Sequence, residues 1–405
     1  MATQVDTIVV GGGQAGLAAS YFLTEHEREH LVLERGLVGE TWRSNRWDGF
    51  VLNTPNWAQL LPGHEYSGDD RDAFAPLTEV IEYLESYAQS FQAPVREQMN
   101  VTALRLHDGD YSVEAEGELF LASNVIVATG AFQQPTAPAP GAETATGVLQ
   151  LSTSAYRRPD QLPDGAVLVV GSGQSGCQIA DELLNAGRTV YLAAGRCPWF
   201  PRRYRGREIV GWALDLGLMD QTVDTLPSPA ARLACNPPVS GSDGGHDCHP
   251  RWLARRGAVL VGRVRHVDGS KVSFEPGLEQ NLAAGDQFVA DLKQGVDAYI
   301  AAQGIAAPEA EPAADSSEVP DTPDLDLRRS AVTTILWATG FRPDYSWIEP
   351  PFADEYGWPI QQRGVTPHPG LYVVGVQWLH KRKSALFCGV GEYAEHVSGH
   401  LCGSR

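Results

Sequence analysis

A strand that runs directly into closely spaced glycines near the N-terminus constrains the fold of this chain more than any other feature. Residues 7–16 read TIVVGGGQAG, with the spacing G-x-G-x-x-G. In this pattern the first glycine allows a tight turn, the second lets the backbone approach a pyrophosphate, and the third lets a helix pack closely against the strand. The unpaired N–H groups at the start of that helix face the phosphate charge. The predicted dinucleotide contacts in this first glycine loop are Gly11, Gly13, Gln14, Ala15 and Gly16.

A carboxylate follows the next predicted strand, HLVLERG, at Glu34. In a dinucleotide-binding fold, an acid at the end of this strand accepts hydrogen bonds from the adenosine ribose. We expect Arg35, the following residue, to lie at the same site. Glycine turns are common, but a strand, a glycine loop and an acid in this order favour a dinucleotide site over an ordinary turn.

The same pattern occurs again about 160 residues later, where residues 167–176 read VLVVGSGQSG and a helical segment follows. Two copies, each in the strand–loop–helix context, are more specific than one. They predict two dinucleotide sites, or a duplicated fold in which one site has been lost. The predicted contacts in this second glycine loop are Gly171, Gly173, Gln174, Ser175 and Gly176.

The two copies differ at the position of the acid. The strand TVYLAAGR ends in Arg196, where the first copy has Glu34. A planar guanidinium at this turn suits the 2′-phosphate of NADPH. Arg202, Arg203 and Arg205 follow closely, although some of these are expected to be surface charges only. The first site therefore reads as an FAD site and the second as an NADPH site.

Residues 36–63 form a long segment without a regular period that contains Trp42, Trp47 and Trp57. Long irregular segments within a compact domain are usually functional. Aromatic rings are suited to stack on a flat cofactor and exclude water, so we predict a lid with Trp42 against the cofactor. The alternative is that these rings only fill the edge of the core.

Two predicted strands end in Ala-Thr-Gly, within residues 124–130 and 333–343, and prolines follow each. Such points are typical of a chain that passes between domains. We predict cofactor contacts at Thr129, Gly130 and Gly340. A last helix is predicted near Gly389 and Gly391, whose N–H groups could stabilise negative charge on a reduced flavin, with an ordinary helix start as the alternative.

The predicted fold is α/β, with two Rossmann-like, three-layer dinucleotide-binding domains and the NADPH domain inserted in the FAD domain. The predicted FAD domain has a first part at residues 1–145 and a second part at residues 331–405. The NADPH domain is predicted at residues 146–330, with an irregular insertion. Within it, residues 308–326 are rich in Pro, Ala, Ser, Asp and Glu and predict a surface connection.

Composition argues against several classes of partner and site. The chain has 31 Lys and Arg against 50 Asp and Glu, a net charge of -19, so neither nucleic acid nor an anionic membrane is an expected partner. The six cysteines form no C-x-x-C pair, which disfavours a thioredoxin-reductase-like dithiol. Cys235, His246, Cys248 and His249 fit no zinc spacing and are expected to pack in a loop. With no basic leader and no long apolar run, a cytoplasmic protein is expected.

The paired glycine loops, ATG at residues 128–130 and ATGFRP at residues 338–343 resemble the flavin-containing monooxygenases and their Baeyer-Villiger and YUCCA-type relatives, especially the short bacterial members. The resemblance covers essentially the whole chain. It implies FAD in the first site, NADPH in the second, and a reduced flavin that captures O₂ as a C4a-hydroperoxide. It places Trp42 in the family's Gly-x-x-Trp segment and Asn53 at the asparagine beside the flavin.

One position departs from the family pattern. The family fingerprint before the second domain contains a histidine, and here LQLSTSAYRRP has Ser152 at that position, with Tyr156 retained. This difference weighs against the Baeyer-Villiger subclass. The resemblance implies a monooxygenase whose partners are O₂ and a small substrate, an amine or a thioether. A flavin reductase or oxidase, a non-enzymatic flavoprotein and a homodimer are left open.

Overall fold

Two sheets organise the chain, each beside one of the glycine loops. This computed structural model describes residues 2–107, 109–311 and 318–403. The α-helices it describes are Gln14–Glu25, Glu40–Ser44, Leu77–Ser90, Gln174–Asn185, Ile209–Asp215, Pro250–Arg255, Leu278–Gln303 and Val390–Gly403. The short helix Glu40–Ser44 lies inside the segment that the sequence predicts to be irregular.

The first sheet is built around the apolar strand that enters the first glycine loop. Its strand order is Val95–Arg96, His30–Leu33, Thr3–Val10, Glu118–Val127, Asp110–Ala115 and Val101–His107. Thr3–Val10 is parallel to both of its neighbours, and Ile8 and Val9, near its end, are fully buried. Leu371–Val373 also pairs in parallel with Glu118–Val127, which brings the C-terminal part of the chain back to this sheet. Parallel strands buried on both faces need continuous apolar sequence, as IVV provides here.

The second sheet is entirely parallel. Its strand order is Leu149–Ser152, Val332–Trp337, Ala166–Val170, Val190–Ala193 and Val259–Val261. Val332–Trp337 is thus a strand of the second sheet. The sequence predicts that the second domain ends at residue 330, before this strand begins. We therefore place the return to the first domain after residue 337, and the other domain boundaries stay predictions.

Short antiparallel pairs complete the fold. They are Leu60–Leu61 with His64–Glu65, Arg203–Tyr204 with Arg207–Glu208, Gln134–Pro135 with Phe341–Arg342, and the set Val264–Asp268, Lys271–Phe274 and Asp324–Asp326. The pair Gln134–Pro135 and Phe341–Arg342 shows that the two crossings between the sheets run side by side. Of the predicted connection at residues 308–326, Asp324–Asp326 is a strand, and residues 312–317 lie outside the described part of the chain.

Candidate cofactor site

The three glycines of the first loop lie in three different environments, and each environment explains the absence of a side chain. Gly11 has a φ of +111°, and a Cβ there would lie 2.8 Å from the carbonyl oxygen of Ala128. A Cβ on Gly16 would collide with the carbonyl oxygen of Gly11, because the helix Gln14–Glu25 packs directly on the loop. Gly13 has no described atom within 4 Å of its Cβ position. The open space at Gly13 fits the close approach of a pyrophosphate.

A cavity of about 350 Å³ lies beside this loop. Its wall contains a large share of the predicted contacts: Gly11, Gly13, Gln14, Ala15, Glu34, Arg35, Trp42, Thr129 and Gly130. The first loop, the end of the second strand, the tryptophan lid and the Ala-Thr-Gly turn therefore meet at one site. The open space and the donors and acceptors in this wall fit a dinucleotide such as FAD.

Glu34 is held at the edge of the cavity by the backbone of the loop. One carboxylate oxygen accepts a hydrogen bond of 2.6 Å from the N–H of Gly12, and the other accepts one of 3.0 Å from the N–H of Gly36. Burial raises the pKa of Glu34, and these two hydrogen bonds oppose that shift. The backbone of the loop therefore orients the side chain, with acceptor capacity left for ribose hydroxyl groups.

Trp42 connects the lid to the first loop and to the C-terminal part of the chain. Its indole N–H donates a hydrogen bond of 2.9 Å to the side-chain oxygen of Gln14, whose amide nitrogen donates to the carbonyl of Ala385 at 3.1 Å. The Trp42 ring also stacks on Phe387, with 5.8 Å between ring centroids and 17° between planes. Trp47 is buried in the core and Trp57 packs in another cluster, so Trp42 alone among these three lines the cavity.

Arg46 is the main cavity residue that the sequence reasoning missed. Its guanidinium carbon lies 5.1 Å from the ring centroid of Trp42 and 5.5 Å from that of Phe50. Burial lowers the pKa of Arg46 to about 10, so it stays charged at neutral pH. In the sequence, the residue type was the only signal for a role of Arg46 in the site, because arginine suits phosphate groups. Polar and sulfur-containing cavity residues outside the motifs include Met99, Asn100, Gln133, Asn236, Asp344, Gln377 and Arg382.

Several predicted contacts are not among the residues that line this cavity. Asn53 is half-buried, and its backbone carbonyl accepts a hydrogen bond of 2.9 Å from Arg202. Gly340 lies at the crossing between the sheets with a φ of +87°. Gly389 and Gly391 lie at the start of Val390–Gly403, and the preceding turn, with Ala385 and Leu386, forms the cavity wall instead. The assignments of these four residues to the site stay predictions.

The second glycine loop has the same backbone geometry as the first. Gly171 has a φ of +113°, and a Cβ on it would collide with the carbonyl oxygen of Ala338. A Cβ on Gly11 would meet the carbonyl oxygen of Ala128 in the same way. Gly176 packs against the carbonyl of Gly171 in the same way as its counterpart in the first loop. The two loops differ at Gly173, where a Cβ would lie 3.4 Å from the Cβ of Cys235. A segment of the second domain therefore covers this loop, whereas Gly13 is open.

That segment, residues 235–240, is called the strap below. The side chain of Gln174 holds it at both backbone groups of Val239: the amide nitrogen donates to the carbonyl at 2.6 Å, and the amide oxygen accepts from the N–H at 3.2 Å. Ser175 is half-buried in the first turn of the helix Gln174–Asn185. Of the predicted contacts in the second loop, Gly173 and Gln174 thus lie directly against the strap.

Arg196 is exposed just beyond the strand Val190–Ala193, while the arginines that follow bind protein groups. Arg202 is buried in an ion pair with Glu208. Arg203 donates to the carbonyl oxygens of Gly244 and Gly245, and Arg205 pairs with Asp297 at 2.7 Å. Among these four arginines, Arg196 therefore remains the candidate for a 2′-phosphate.

The fingerprint region joins the two domains. The hydroxyl oxygens of Ser152 and Ser154 are 2.8 Å apart, and the buried Tyr156 donates a hydrogen bond of 2.6 Å to Glu182. The guanidinium of Arg157 donates to the backbone carbonyls of Ser44 and Arg46 in the lid segment. Where relatives are expected to have a histidine, this chain thus has a serine hydrogen-bonded within its own turn.

Two further observations concern the metal and membrane predictions. His246 forms a 2.8 Å contact with Asp181, and His249 stacks on Trp199 with ring centroids 3.5 Å apart. Within residues 2–107, 109–311 and 318–403, His, Cys, Asp and Glu side chains form no group of three that could hold a metal ion. Over those same residues, no helix combines the length and the apolar character needed to cross a bilayer.

The fold and the cavity define a two-domain oxidoreductase with a dinucleotide-binding loop in each domain. Residues 8–210 match the family described as pyridine nucleotide-disulphide oxidoreductase. An uncharacterized CzcO-like oxidoreductase of Geobacillus kaustophilus is 33% identical over 398 residues, which cover 97% of each chain. The probable indole-3-pyruvate monooxygenase YUCCA1 of Arabidopsis thaliana is 30% identical over 314 residues, covering 73% of this chain and 74% of the relative.

Among solved structures, a flavin-containing monooxygenase from Stenotrophomonas maltophilia superposes with a TM-score of 0.68 at 20% identity, covering 98% of each chain. The chain belongs to the pyridine nucleotide-disulphide oxidoreductase family and, within it, to the flavin-containing monooxygenase group. It is a flavin-dependent oxidoreductase, and membership of this family confirms the predicted cofactors, FAD and NADPH. The two sheets and the superposition confirm the predicted pair of Rossmann-type domains.

Proposed function

We propose that this protein is an NADPH-dependent FAD monooxygenase that transfers one oxygen atom of O₂ to a small soft nucleophile, an amine nitrogen or a thioether sulfur. The observation that carries the proposal is the cavity where the first glycine loop, Glu34 and Trp42 meet. Membership of the flavin-containing monooxygenase group supports the reaction type. When bound, FAD reduced by NADPH supplies the electrons that activate O₂.

The chain's own residues bind and orient the cofactor and keep the site dry. The N–H groups at the start of Gln14–Glu25 and the guanidinium of Arg46 would hold the pyrophosphate, and Glu34 would accept from the ribose. The stack of Trp42 on Phe387 would exclude water from the reacting end of the site. Arg196 would select NADPH over NADH through the 2′-phosphate.

Rapid mixing of the NADPH-reduced, FAD-loaded protein with O₂ tests the reaction type. A monooxygenase should show a near-ultraviolet absorption that persists before oxidised flavin returns, and it should consume NADPH with little H₂O₂ release when substrate is present. An NADPH-dependent flavin oxidase is the second candidate, which Ser152 at the fingerprint position favours. Direct return to oxidised flavin, with one H₂O₂ per NADPH under all conditions, would establish that alternative.

Replacement of Asn53 by Leu tests the residue that the family resemblance places beside the flavin. The contact of Asn53 with Arg202 uses only its backbone carbonyl, so Asn53→Leu removes the amide and leaves that contact in place. We expect the fraction of NADPH that ends as H₂O₂ to rise severalfold, because the site loses a polar group that orients oxygen. A peroxidase-coupled assay measures this fraction. Unchanged coupling would remove Asn53 from the mechanism.

A further inference from the structure

Four of the six cysteines surround the second glycine loop. Cys177 follows the loop on its helix, and its thiol donates a hydrogen bond to the carbonyl of Ser172 at 3.2 Å. Cys248 is fully buried in the same core cluster as Cys177. Cys197 directly follows Arg196, and Cys235 begins the strap. The sequence shows no paired cysteine motif here because 38 positions separate Cys197 and Cys235.

The sulfur atoms of Cys197 and Cys235 are 2.7 Å apart. This separation is shorter than an ordinary contact between two unbonded sulfur atoms and not much longer than an S–S bond of about 2.05 Å, so the fold holds the two thiols close to bonding distance. Cys197 is buried, whereas Cys235 is half-buried and accessible from solvent. The fold thus brings two distant thiols to bonding range at the edge of a predicted nucleotide site.

The strap lies between the two cofactor sites. At one end Cys235 covers Gly173 of the second loop. The next residue, Asn236, lines the FAD cavity and accepts a hydrogen bond of 3.4 Å from Gln377. Farther along, Gln174 holds the backbone of Val239. A ligand whose phosphates approach Gly173 as they would approach Gly13 requires this segment to move aside.

The two thiols differ in reactivity. The hydrogen bond with Cys197 lowers the pKa of Cys235, which favours its thiolate form. The same hydrogen bond, with burial, raises the pKa of Cys197. The more accessible sulfur is therefore also the stronger nucleophile, and the buried thiol lies in position to react with it in a second step.

We propose that Cys197 and Cys235 are a redox-active pair that hydrogen peroxide closes into a disulfide, which fixes the strap over the second glycine loop. The thiolate of Cys235 attacks one oxygen of the peroxide, the O–O bond breaks, and hydroxide leaves, giving a sulfenic acid. The sulfur of Cys197 then attacks the sulfur of Cys235, the S–O bond breaks, and a second hydroxide leaves. In total two thiols lose two electrons and two protons, and the peroxide becomes two waters.

Closing the disulfide removes the movement of the strap that nucleotide binding requires. NADPH therefore binds less tightly to the oxidised protein than to the reduced protein. An enzyme that releases peroxide when uncoupled from its substrate would thereby limit its own reduction. This consequence rests on the proposed use of the second loop for NADPH, whereas formation of the disulfide does not.

The test begins with the full-length, FAD-loaded protein treated with stoichiometric hydrogen peroxide and then alkylated with N-ethylmaleimide. We expect the loss of two of the six titratable thiols, a cross-linked peptide joining Cys197 to Cys235 in non-reducing mass spectrometry, and full recovery with dithiothreitol. Cys402→Ser, a change in the C-terminal helix, should lose two of its remaining five thiols and give the same cross-linked peptide. Wild-type protein that keeps all its thiols, or that oxidises Cys235 without a cross-link, would overturn the proposal.

The second measurement is the affinity for NADP⁺, determined by calorimetry on the reduced and the peroxide-treated protein. Oxidation should weaken binding about tenfold or more in the wild type and leave it unchanged in Cys235→Ser, which cannot form the bond. A cross-link with unchanged affinity would overturn the control of the second loop by the strap. Absence of NADP⁺ binding in both states would instead count against the proposed function, and the thiol count would still decide whether the pair is redox-active.

Discussion

Gly11 and Gly13 lack side chains for different physical reasons, so alanine substitutions should have different effects. Gly11→Ala places a Cβ at a φ of +111° and 2.8 Å from a carbonyl oxygen, which should destabilise even the apoprotein by about 1–3 kcal/mol. Gly13→Ala meets no described atom within 4 Å and has an ordinary φ of -86°. It should change apoprotein stability by less than about 0.5 kcal/mol, but weaken FAD binding about tenfold.

Thermal melting of both apoproteins, followed by FAD titration, separates the two effects. The control is the counterpart of Gly11 in the second loop, because Gly171→Ala should also destabilise the fold without changing FAD affinity directly. Equal loss of apoprotein stability in Gly11→Ala and Gly13→Ala would contradict the assignment of Gly13 to the ligand.

The buried His249 should make the stability of the protein depend on pH. Burial lowers the pKa of His249 to about 3, and Arg255 and Arg251 add to this shift. The unfolded chain, with a pKa of 6.5, then binds a proton that the folded chain excludes. Stability should therefore fall as the pH falls through 6.5 toward 3, by up to about 1.4 kcal/mol per pH unit.

The variant His249→Phe keeps a ring against Trp199 but cannot take up a proton. Its melting temperature should fall less between pH 7.5 and pH 5.5, about the range in which the histidine contribution grows. The control is a change at one of the exposed histidines, His26→Gln, which should retain the wild-type pH dependence. A variant with the same slope as the wild type would show that His249 does not titrate on unfolding.

At the scale of elements, a buried arginine joins the helix Pro250–Arg255 to the long helix Leu278–Gln303. The Arg251 guanidinium pairs with Glu279 and with Asp286, each at 2.7 Å. The hydrogen bond that Arg251 donates to Glu279 lowers the pKa of that carboxyl group. Arg251→Ala leaves two carboxylates without this cation, and it should cost about 2 kcal/mol because the carboxylates are only partly exposed. Urea denaturation measures the change.

The matched control is Arg263→Ala. That side chain is 71% exposed and lies 3.9 Å from Glu275, so its loss should cost less than about 0.5 kcal/mol. Similar losses for the two variants would mean that Arg251 does not dock the long helix. The comparison requires only the free energies of unfolding and no activity assay, because both residues lie outside the cavity beside the first loop.

Local patterns predict the elements that enter the glycine loops, and long-range contacts decide the rest. The strands Thr3–Val10 and Ala166–Val170 follow from their apolar runs and glycines, because backbone conformation and burial are local requirements. The position of Val332–Trp337 within the second sheet is not local, since its partners lie far earlier in the chain. The strap has no periodicity at all, so only the folded structure shows that it covers Gly173.

The same distinction applies to the site residues. Glu34 was predictable because its distance from the glycines along the chain is a property of the βαβ unit. Arg46 was not, since its place in the cavity wall depends on how the lid segment packs on Trp42 and Phe50. Arg202 suited a phosphate in sequence but binds Glu208 in the fold, because a buried guanidinium needs a carboxylate.

At the scale of the whole molecule, the two domains meet where the lid is attached to the second domain. Arg157 donates to the carbonyls of Ser44 and Arg46, and its own carbonyl accepts a hydrogen bond of 2.9 Å from the N–H of Asp48. Tyr156 is bonded to Glu182, against which Gly49 packs. Because Trp42 and Arg46 line the cavity, the attachment of this segment links the domain arrangement to the wall of the FAD site.

Arg157→Ala should therefore loosen the lid without unfolding either domain. Water should enter the site more readily, and the H₂O₂ released per NADPH oxidised should rise about two- to fivefold, whereas the melting temperature should fall by only a few degrees. The neighbouring Arg158 is 62% exposed; it pairs with Asp160 at 2.7 Å and with Asp48 of the lid at 3.7 Å. Because such solvent-exposed pairs contribute little, Arg158→Ala is the matched control and should leave the peroxide yield unchanged.

Limited proteolysis provides a readout that does not depend on turnover. Cleavage within residues 36–63 should become faster in Arg157→Ala than in Arg158→Ala, because the segment loses two of its hydrogen bonds to the second domain. Faster cleavage with unchanged peroxide yield would show that the lid does not control water entry. If neither quantity changes, the position of the lid is set by the contacts of Trp42 with Gln14 and Phe387 within the first domain, independently of the second domain.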